Sequence, residues 1–221
     1  MKKKIIAVIP AYNEAQRIEP VIQETKRYVD EVIVVDDGSQ DDTAQIAAKA
    51  GAHVLQHLIN LGKGAGLKTG CECAVLHHAD IIIMLDADGQ HEPVDIKRFI
   101  EKVKEGYDIV FGVRELQKGS PFILRLGNEI ISTMIFLLFH IHIKDSQCGF
   151  RAFTAKAYES IKWRSTDYAL ESEMIVNAKQ HKLSCTQLKI KNIYNDRFKG
   201  TGVIDGMKIV ANLLWWRIRG V

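Results

Sequence analysis

Residues 81–91 read Ile-Ile-Ile-Met-Leu-Asp-Ala-Asp-Gly-Gln-His. Five apolar residues in a row stop abruptly at two carboxylates. A short apolar run without alternation marks a strand buried on both faces, as in a parallel sheet covered by helices. Similar runs occur at 5–9, 31–35, 54–57 and 109–111. Helical patterns lie between them, at 18–28, 43–50, 63–78 and 93–105. Pro93 suits the first turn of its helix, and Gly51 and Gly106 suit the stops. This alternation predicts an α/β protein with a doubly wound, mostly parallel sheet flanked by helices.

Working outward, the second half changes character. Residues 120–138 read as a very apolar helix, and 149–154 as a strand. Short helices follow at 155–161 and 170–181, an extended run at 184–190 and a last helix at 205–219. With 221 residues, 47% hydrophobic and 26% charged, the chain can bury a full core. Collagen-like, low-complexity and largely disordered classes are excluded. One compact domain is expected over 1–221, its nucleotide-binding half ending near 115 and its acceptor half filling 116–221.

A net charge of +3 argues for no nucleic-acid partner. Its distribution says more: residues 189–221 carry seven Lys/Arg against Asp196 and Asp205, so this end should meet a phosphate or a membrane surface. The four cysteines form no CxxC pair, so reduced, mostly buried thiols are expected rather than a structural zinc site. The histidines give no metal signal; His77-His78 reads as a helix end, and His140 and His142 lack carboxylate neighbours. No leader pattern precedes residue 5, and 130–143 is too short to span a bilayer.

Ligands of open α/β sheets bind beyond the carboxyl ends of the strands. Three polar clusters fall there: Pro10-Ala11-Tyr12-Asn13-Glu14, Asp36-Asp37-Gly38-Ser39 and Asp86-Ala87-Asp88-Gly89-Gln90-His91. Five carboxylates so placed would repel one another unless cations or donors sit among them. A lone Asp-x-Asp is most simply a turn cap. Beside two more acidic clusters, Asp86-x-Asp88 is better read as a site for a hard divalent cation, with Gln90 as a neutral oxygen ligand. Residues 39–43 could cap the next helix or accept hydrogen bonds from a base or ribose. Asn60-Leu-Gly-Lys63-Gly-Ala-Gly66 is neither a P-loop nor a strict dinucleotide fingerprint. It serves either close packing or approach of backbone and Lys63 to a nucleotide.

In this order and spacing, Pro-Ala-Tyr-Asn-Glu, Asp-Asp-Gly-Ser-x-Asp-x-Thr, Asn-x-Gly-Lys-Gly and Asp-Ala-Asp-x-Gln-His-x-Pro resemble the family 2 glycosyltransferases of the GT-A fold. The nearest resemblance is to the dolichol-phosphate mannose synthase-like, polyprenyl-phosphate group. Asp145-x-x-x-Gly149-Phe150-Arg151 and Glu171/Glu173 extend it to about residue 175.

The resemblance implies inverting transfer of a hexose from a nucleoside-diphosphate sugar, of the GDP-mannose or UDP-glucose type. Pro10, Tyr12 and Glu14 would line base and ribose, with Val35 and Asp37 on the base. Asp86, Ala87 and Asp88 would face ribose and diphosphate, and Asp88 and Gln90 would hold Mg²⁺ or Mn²⁺. Arg114 would lie near the donor sugar or acceptor phosphate. Arg197 and Lys199 fall where the group binds phosphate. Relatives often read Gly-x-Ser-Lys where this chain has Gly200-Thr-Gly-Val203, which leaves the final phosphate-binding lysine open, with Lys199 as a candidate substitute.

A lipid-phosphate acceptor is already ionised and needs positioning more than a base. A hydroxyl acceptor needs a carboxylate base, for which Asp145 is the candidate. Asp145 could equally be a structural partner of Arg151 or another arginine. The last helix sets Trp215-Trp216 among Arg217 and Arg219, as at a headgroup interface, though packing on the domain or a homodimer contact is also open. The expected setting is the cytoplasm, peripheral on the inner membrane face. The rival readings are the same chemistry on a glycan or soluble acceptor, and a catalytically silent nucleotide-sugar binding module. A nucleotidyltransferase is disfavoured because 10–14 contains no glycine.

Overall fold

Alternate residues of the first strand serve opposite cores. In the computed structural model, which describes residues 2–115, 122–191 and 202–219, β1 (Ile5–Ala11) sends Ile6 and Val8 to one face and Ala7 and Ile9 to the other. β2 (Glu31–Asp36) divides likewise, Ile33 and Val35 against Val32 and Val34. This two-sided burial is why the sequence shows continuous apolar runs.

The sheet continues with β3 (His53–Gln56), β4 (Ile81–Met84), β5 (Ile109–Glu115), β6 (Arg151–Thr154) and β7 (Cys185–Lys191), in the order β3-β2-β1-β4-β6-β5-β7. All pairings are parallel except those of β6, which runs antiparallel between β4 and β5. Strand order reverses between β1 and β4, so the loops that leave these two strands flank the switch point. The edge strands are less buried than the central ones. His53 is exposed on β3, and β7 alternates between covered and solvated positions.

One face is covered by α1 (Ile18–Thr25), α2 (Thr43–Lys49) and α4 (Ile96–Lys104), a short 3₁₀ turn at Pro93–Asp95 leading into α4. α4 buries Ile96, Phe99, Ile100 and Val103, spaced three and four apart as one helix face requires. Phe99 stacks on Phe150 at 4.4 Å between centroids. The other face carries α3 (Lys63–Leu76), α5 (Phe122–Phe139), α6 (Ala155–Ile161), α7 (Leu170–Gln180) and α8 (Val203–Arg219). α3 approaches the sheet closely. A Cβ at Gly70 would lie 2.4 Å from Val8 Cγ1 and 3.0 Å from Val35 Cγ2. Trp163 is fully buried in this layer, its Nε1 donating to Gly64 O at 2.8 Å.

α5 and α8 pack on one another, burying Ile131, Ile135, Ile209 and Leu213, while Leu126, Ile130, Leu137, Met207 and Leu214 stay exposed. No helix among the described residues is long and apolar enough to cross a membrane.

Candidate active site

The strand β4 ends inside the protein, and its carboxylates need counter-charge. Asp86 Oδ1 meets Lys63 Nζ at 2.7 Å, and Asp86 Oδ2 lies 3.4 Å from His91 Nε2. The same ammonium is 3.0 Å from Oε1 of Glu171, a fully buried carboxylate with no well-aligned hydrogen bond of its own. Burial opposes the charge on Lys63, but Asp86 and Glu171 outweigh it and hold the ammonium well above the usual lysine range. Burial also opposes ionisation of Asp86, yet Lys63 and His91 keep it well below the usual carboxylate range. Gly149 makes room for this pair. A Cβ there would lie 2.6 Å from Asp86 Oδ2 and 3.0 Å from Lys63 Nζ.

Asp88 is different. Its Oδ1 accepts from the Gln90 backbone N–H at 2.9 Å, and burial followed by the charge of Asp86 pushes its carboxyl up. With Lys63 and His91 directed at Asp86, Asp88 is the carboxylate of the pair that could hold a cation. Its hard oxygen, with Gln90 beside it, fits Mg²⁺ or Mn²⁺. Two buried atoms nearby lack hydrogen-bond partners, His91 Nδ1 and Gln147 Oε1.

The Asp-Asp-Gly-Ser-x-Asp-x-Thr segment ties the β1 loop in place. Ser39 Oγ accepts from Asn13 N–H at 2.9 Å, Thr43 Oγ1 accepts from Glu14 N–H at 2.8 Å, and Asp41 bonds Thr43. Neither Ser39 nor Thr43 caps α2. Asp37 accepts from the N–H groups of Leu61 and Gly62 at 2.9 and 2.8 Å, and pairs with His57 Nδ1 at 2.7 Å. It thereby fixes the glycine-rich loop. Gly62 and Gly64 let that loop rest on residues 165–166, where a Cβ on either would come within 2.3 Å of a carbonyl oxygen. The packing reading of the loop holds, and Lys63 meets the carboxylates of Asp86 and Glu171.

Across the site, Arg114 grips Asp145. Nε donates to Oδ2 at 2.7 Å, Nη2 to Oδ1 at 2.9 Å and the backbone N–H to Oδ2 at 3.1 Å. Asp145 is buried, and although burial opposes its charge, Arg114 holds its carboxyl below the usual range. Arg151 binds carbonyls instead, those of Ser146, Cys148 and Glu171. Glu173 caps the 164–165 turn through two backbone N–H groups and Ser165 Oγ.

A cleft of about 1150 Å³ joins these groups. Its lining includes Pro10, Tyr12, Glu14, Asp37, Lys63, Asp86, Ala87, Asp88, Gln90 and Arg114, with Gln147 and Tyr168. The rest of the lining comes from α5 and α8 and is mostly apolar, Leu126, Ile130 and Ile131 with Met207, Val210 and Leu214, though Asn128 and Asp205 of the same helices also border it. Asp145 stands behind Arg114 rather than on the lining. Val35 is also absent from it, since its side chain packs toward Gly66 and Gly70 of α3. Arg197 and Lys199 lie outside the described residues. His91, Gln147 and Tyr168 are lining residues that the sequence reading gave no role. Only His91 carried a signal, as the residue after Gln90 in the Asp-x-Asp motif.

The family model for glycosyl transferase family 2 matches residues 6–162. An uncharacterized protein of Methanocaldococcus jannaschii (MJ1222) is 38% identical over 98% of this chain and 93% of its own. A UDP-N-acetylglucosamine–dolichyl-phosphate N-acetylglucosaminyltransferase of Methanococcus voltae is 34% identical over 96% of this chain and 95% of its own. Among solved structures, glucosyl-3-phosphoglycerate synthase of Mycobacterium tuberculosis, in complex with Mn²⁺, UDP and phosphoglyceric acid, superposes with a TM-score of 0.78. That pair is 20% identical and covers 97% of this chain and 78% of the other. The fold is therefore GT-A, and the molecule is a sugar-transferring enzyme. The chain belongs to glycosyl transferase family 2.

Proposed function

We propose that the protein transfers a hexose, with inversion, from a nucleoside-diphosphate sugar to a polyprenyl phosphate at a membrane surface. The observation that carries this reading is a single cleft lined both by the charged strand-end residues and by the mostly apolar side chains of α5 and α8. The dolichyl-phosphate acceptor named for the M. voltae relative supports the acceptor class. The uridine nucleotides named for that relative and for the M. tuberculosis enzyme favour UDP over GDP.

Asp88, with Gln90, would hold Mg²⁺ or Mn²⁺, and the ion would supply positive charge where the departing diphosphate becomes negative. Pro10, Tyr12, Glu14 and Asp37 would border the base and ribose, and Lys63 would keep Asp86 ionised beside them. Arg114, held in a fixed plane by Asp145, would orient the acceptor phosphate, with Arg197 and Lys199 as further phosphate ligands. The acceptor oxygen bonds to the sugar's anomeric carbon as the bond to the diphosphate breaks, and the diphosphate leaves with the electron pair. An ionised phosphate needs no strong base, which agrees with Asp145 being committed to Arg114.

Exposed Ile204, Met207, Trp215 and Ile218, with Arg219 stacked 4.4 Å over Trp215, suit a peripheral seat among headgroups on the cytoplasmic face. The test incubates purified protein with Mg²⁺ or Mn²⁺, bacterial-type and dolichol-type polyprenyl phosphates, and labelled UDP- and GDP-sugars. Metal-dependent label in the organic phase is expected. Nucleoside diphosphate release without organic label would transfer the reading to a soluble acceptor. Neither product from folded protein would overturn the proposed donor and acceptor classes.

A further inference from the structure

We infer that the far end of the sheet, where β2 and β3 begin, carries a metal site for Zn²⁺ or a similar borderline divalent transition ion, built from His53, Cys73 and His77. α3 begins at the cleft with Lys63 and ends about 20 Å away, at 1.5 Å per residue. There Cys73 and His77, four residues apart, share one helix face. His53, at the start of β3, stands beside them. One potential ligand atom from each of the three lies within 4.8 Å of the others.

The geometry is close to what a tetrahedral ion requires. With metal–nitrogen and metal–sulfur lengths of about 2.0 and 2.3 Å, tetrahedral edges are roughly 3.3 Å between two nitrogens and about 3.5 Å between nitrogen and sulfur. Cys73 Sγ lies 3.8 Å from His77 Nε2, a few tenths of an ångström beyond the latter. The His53 and His77 rings meet edge to face at 5.0 Å between centroids. His53 is exposed, so its side chain can close the remaining distance.

The surroundings orient the ligands. His77 Nδ1 lies 2.7 Å from Glu31 Oε1, which directs Nε2 toward Cys73, the carboxylate–histidine support common behind metal-bound imidazoles. Lys4 Nζ balances the other Glu31 oxygen at 3.1 Å and donates to the His77 carbonyl at 2.9 Å. The carbonyl end of α3 adds partial negative charge. A thiol and two imidazoles suit Zn²⁺ and disfavour Mg²⁺ or Mn²⁺, so this site is distinct in chemistry from Asp88. Binding forms a metal–thiolate bond, and the thiol proton passes to solvent. Three protein ligands leave the fourth position to water.

Cobalt(II) reports the site directly. The full chain is stripped with chelator, supplied with excess Mg²⁺ to fill carboxylate sites, and titrated with Co²⁺. One equivalent should give a near-ultraviolet thiolate charge-transfer band and intense tetrahedral visible bands, both displaced by Zn²⁺. Cys73→Ser should lose the thiolate band. His53→Ala, a change at an exposed position, should weaken Zn²⁺ binding at least tenfold, and Glu31→Gln by about 10–100-fold. Cys185→Ser, which alters the other cysteine that is not buried, should change nothing. Absence of a thiolate band, its survival in Cys73→Ser, or its loss in Cys185→Ser would overturn the proposal. Metal-free melting curves matching wild type would show that each variant is folded.

Discussion

Arg114 and Asp145 form a closed fork, two parallel side-chain hydrogen bonds at 2.7 and 2.9 Å reinforced by the arginine's own backbone N–H. An arginine so held points in one direction, and a carboxylate so occupied is poorly placed to take a proton.

Asp145→Asn should therefore lower kcat/KM at least tenfold by releasing Arg114 and cost about 3 kcal/mol of stability, as breaking one side of a buried pair does. The folded carboxyl of Asp145 lies below its ordinary value of 3.8. The pair's contribution is thus complete above 3.8 and is lost as pH falls through the folded value. Denaturation curves should show a wild-type-to-variant gap that is constant at neutral pH and closes only in acid. A rising limb of kcat/KM between about pH 6 and 8 that disappears in Asp145→Asn would instead assign a base.

Lys63→Met should leave the buried Glu171 and the half-buried Asp86 without their ammonium, at a cost of about 3 kcal/mol. In the wild type the Lys63 contribution is complete below its ordinary 10.5 and is lost as pH rises through the raised folded value. That of Asp86 is complete above 3.8 and is lost on acidification. The wild type should hold a plateau between these limits, whereas the variant should gain on it as pH falls toward 5 and its carboxylates take up protons. Adding Glu171→Gln to Lys63→Met should recover part of the loss. A strictly additive double-mutant cycle would show that the pair is not coupled.

Asp88→Asn should reduce metal-dependent transfer by about 10²–10³-fold or more, since it removes the carboxylate proposed for the ion. Mn²⁺ affinity in the presence of UDP, measured by calorimetry, should fall in parallel. Turnover close to wild type would remove Asp88 from the metal site.

Gly149→Ala should lower stability by about 1–3 kcal/mol through crowding and weaken donor binding, because the added methyl would collide with Asp86 and Lys63. Gly127→Ala is the converse case. No atom lies within 4 Å of a Cβ there, so the change should stabilise α5 by about 0.5–1 kcal/mol. Thermal melts of the two variants should move in opposite directions.

Local chemistry was legible in the chain. Asp86-x-Asp88 follows its strand directly, and the two-sided burial of β1 and β2 shows as unbroken apolar runs. Partners far along the chain were not. Glu171 lies 3.0 Å from Lys63 and the Tyr168 ring 5.8 Å from its ammonium, while residues 165–166 rest on Gly62 and Gly64, contacts that no periodicity announces. Arg151 stands closer in sequence to Asp145 than Arg114 does, yet Arg114 holds the carboxylate because β5 delivers it there while Arg151 binds carbonyls. The metal cluster escaped for a related reason: Cys73 and His77 have helical spacing, but their third member arrives from an edge strand.

The cleft is charged along the strand ends and oily along α5 and α8. A single cavity lined in this way offers unlike surroundings to the two ends of one bound molecule: water-loving groups find charge and hydrogen-bond partners at the strand ends, and oily ones leave water along the two helices.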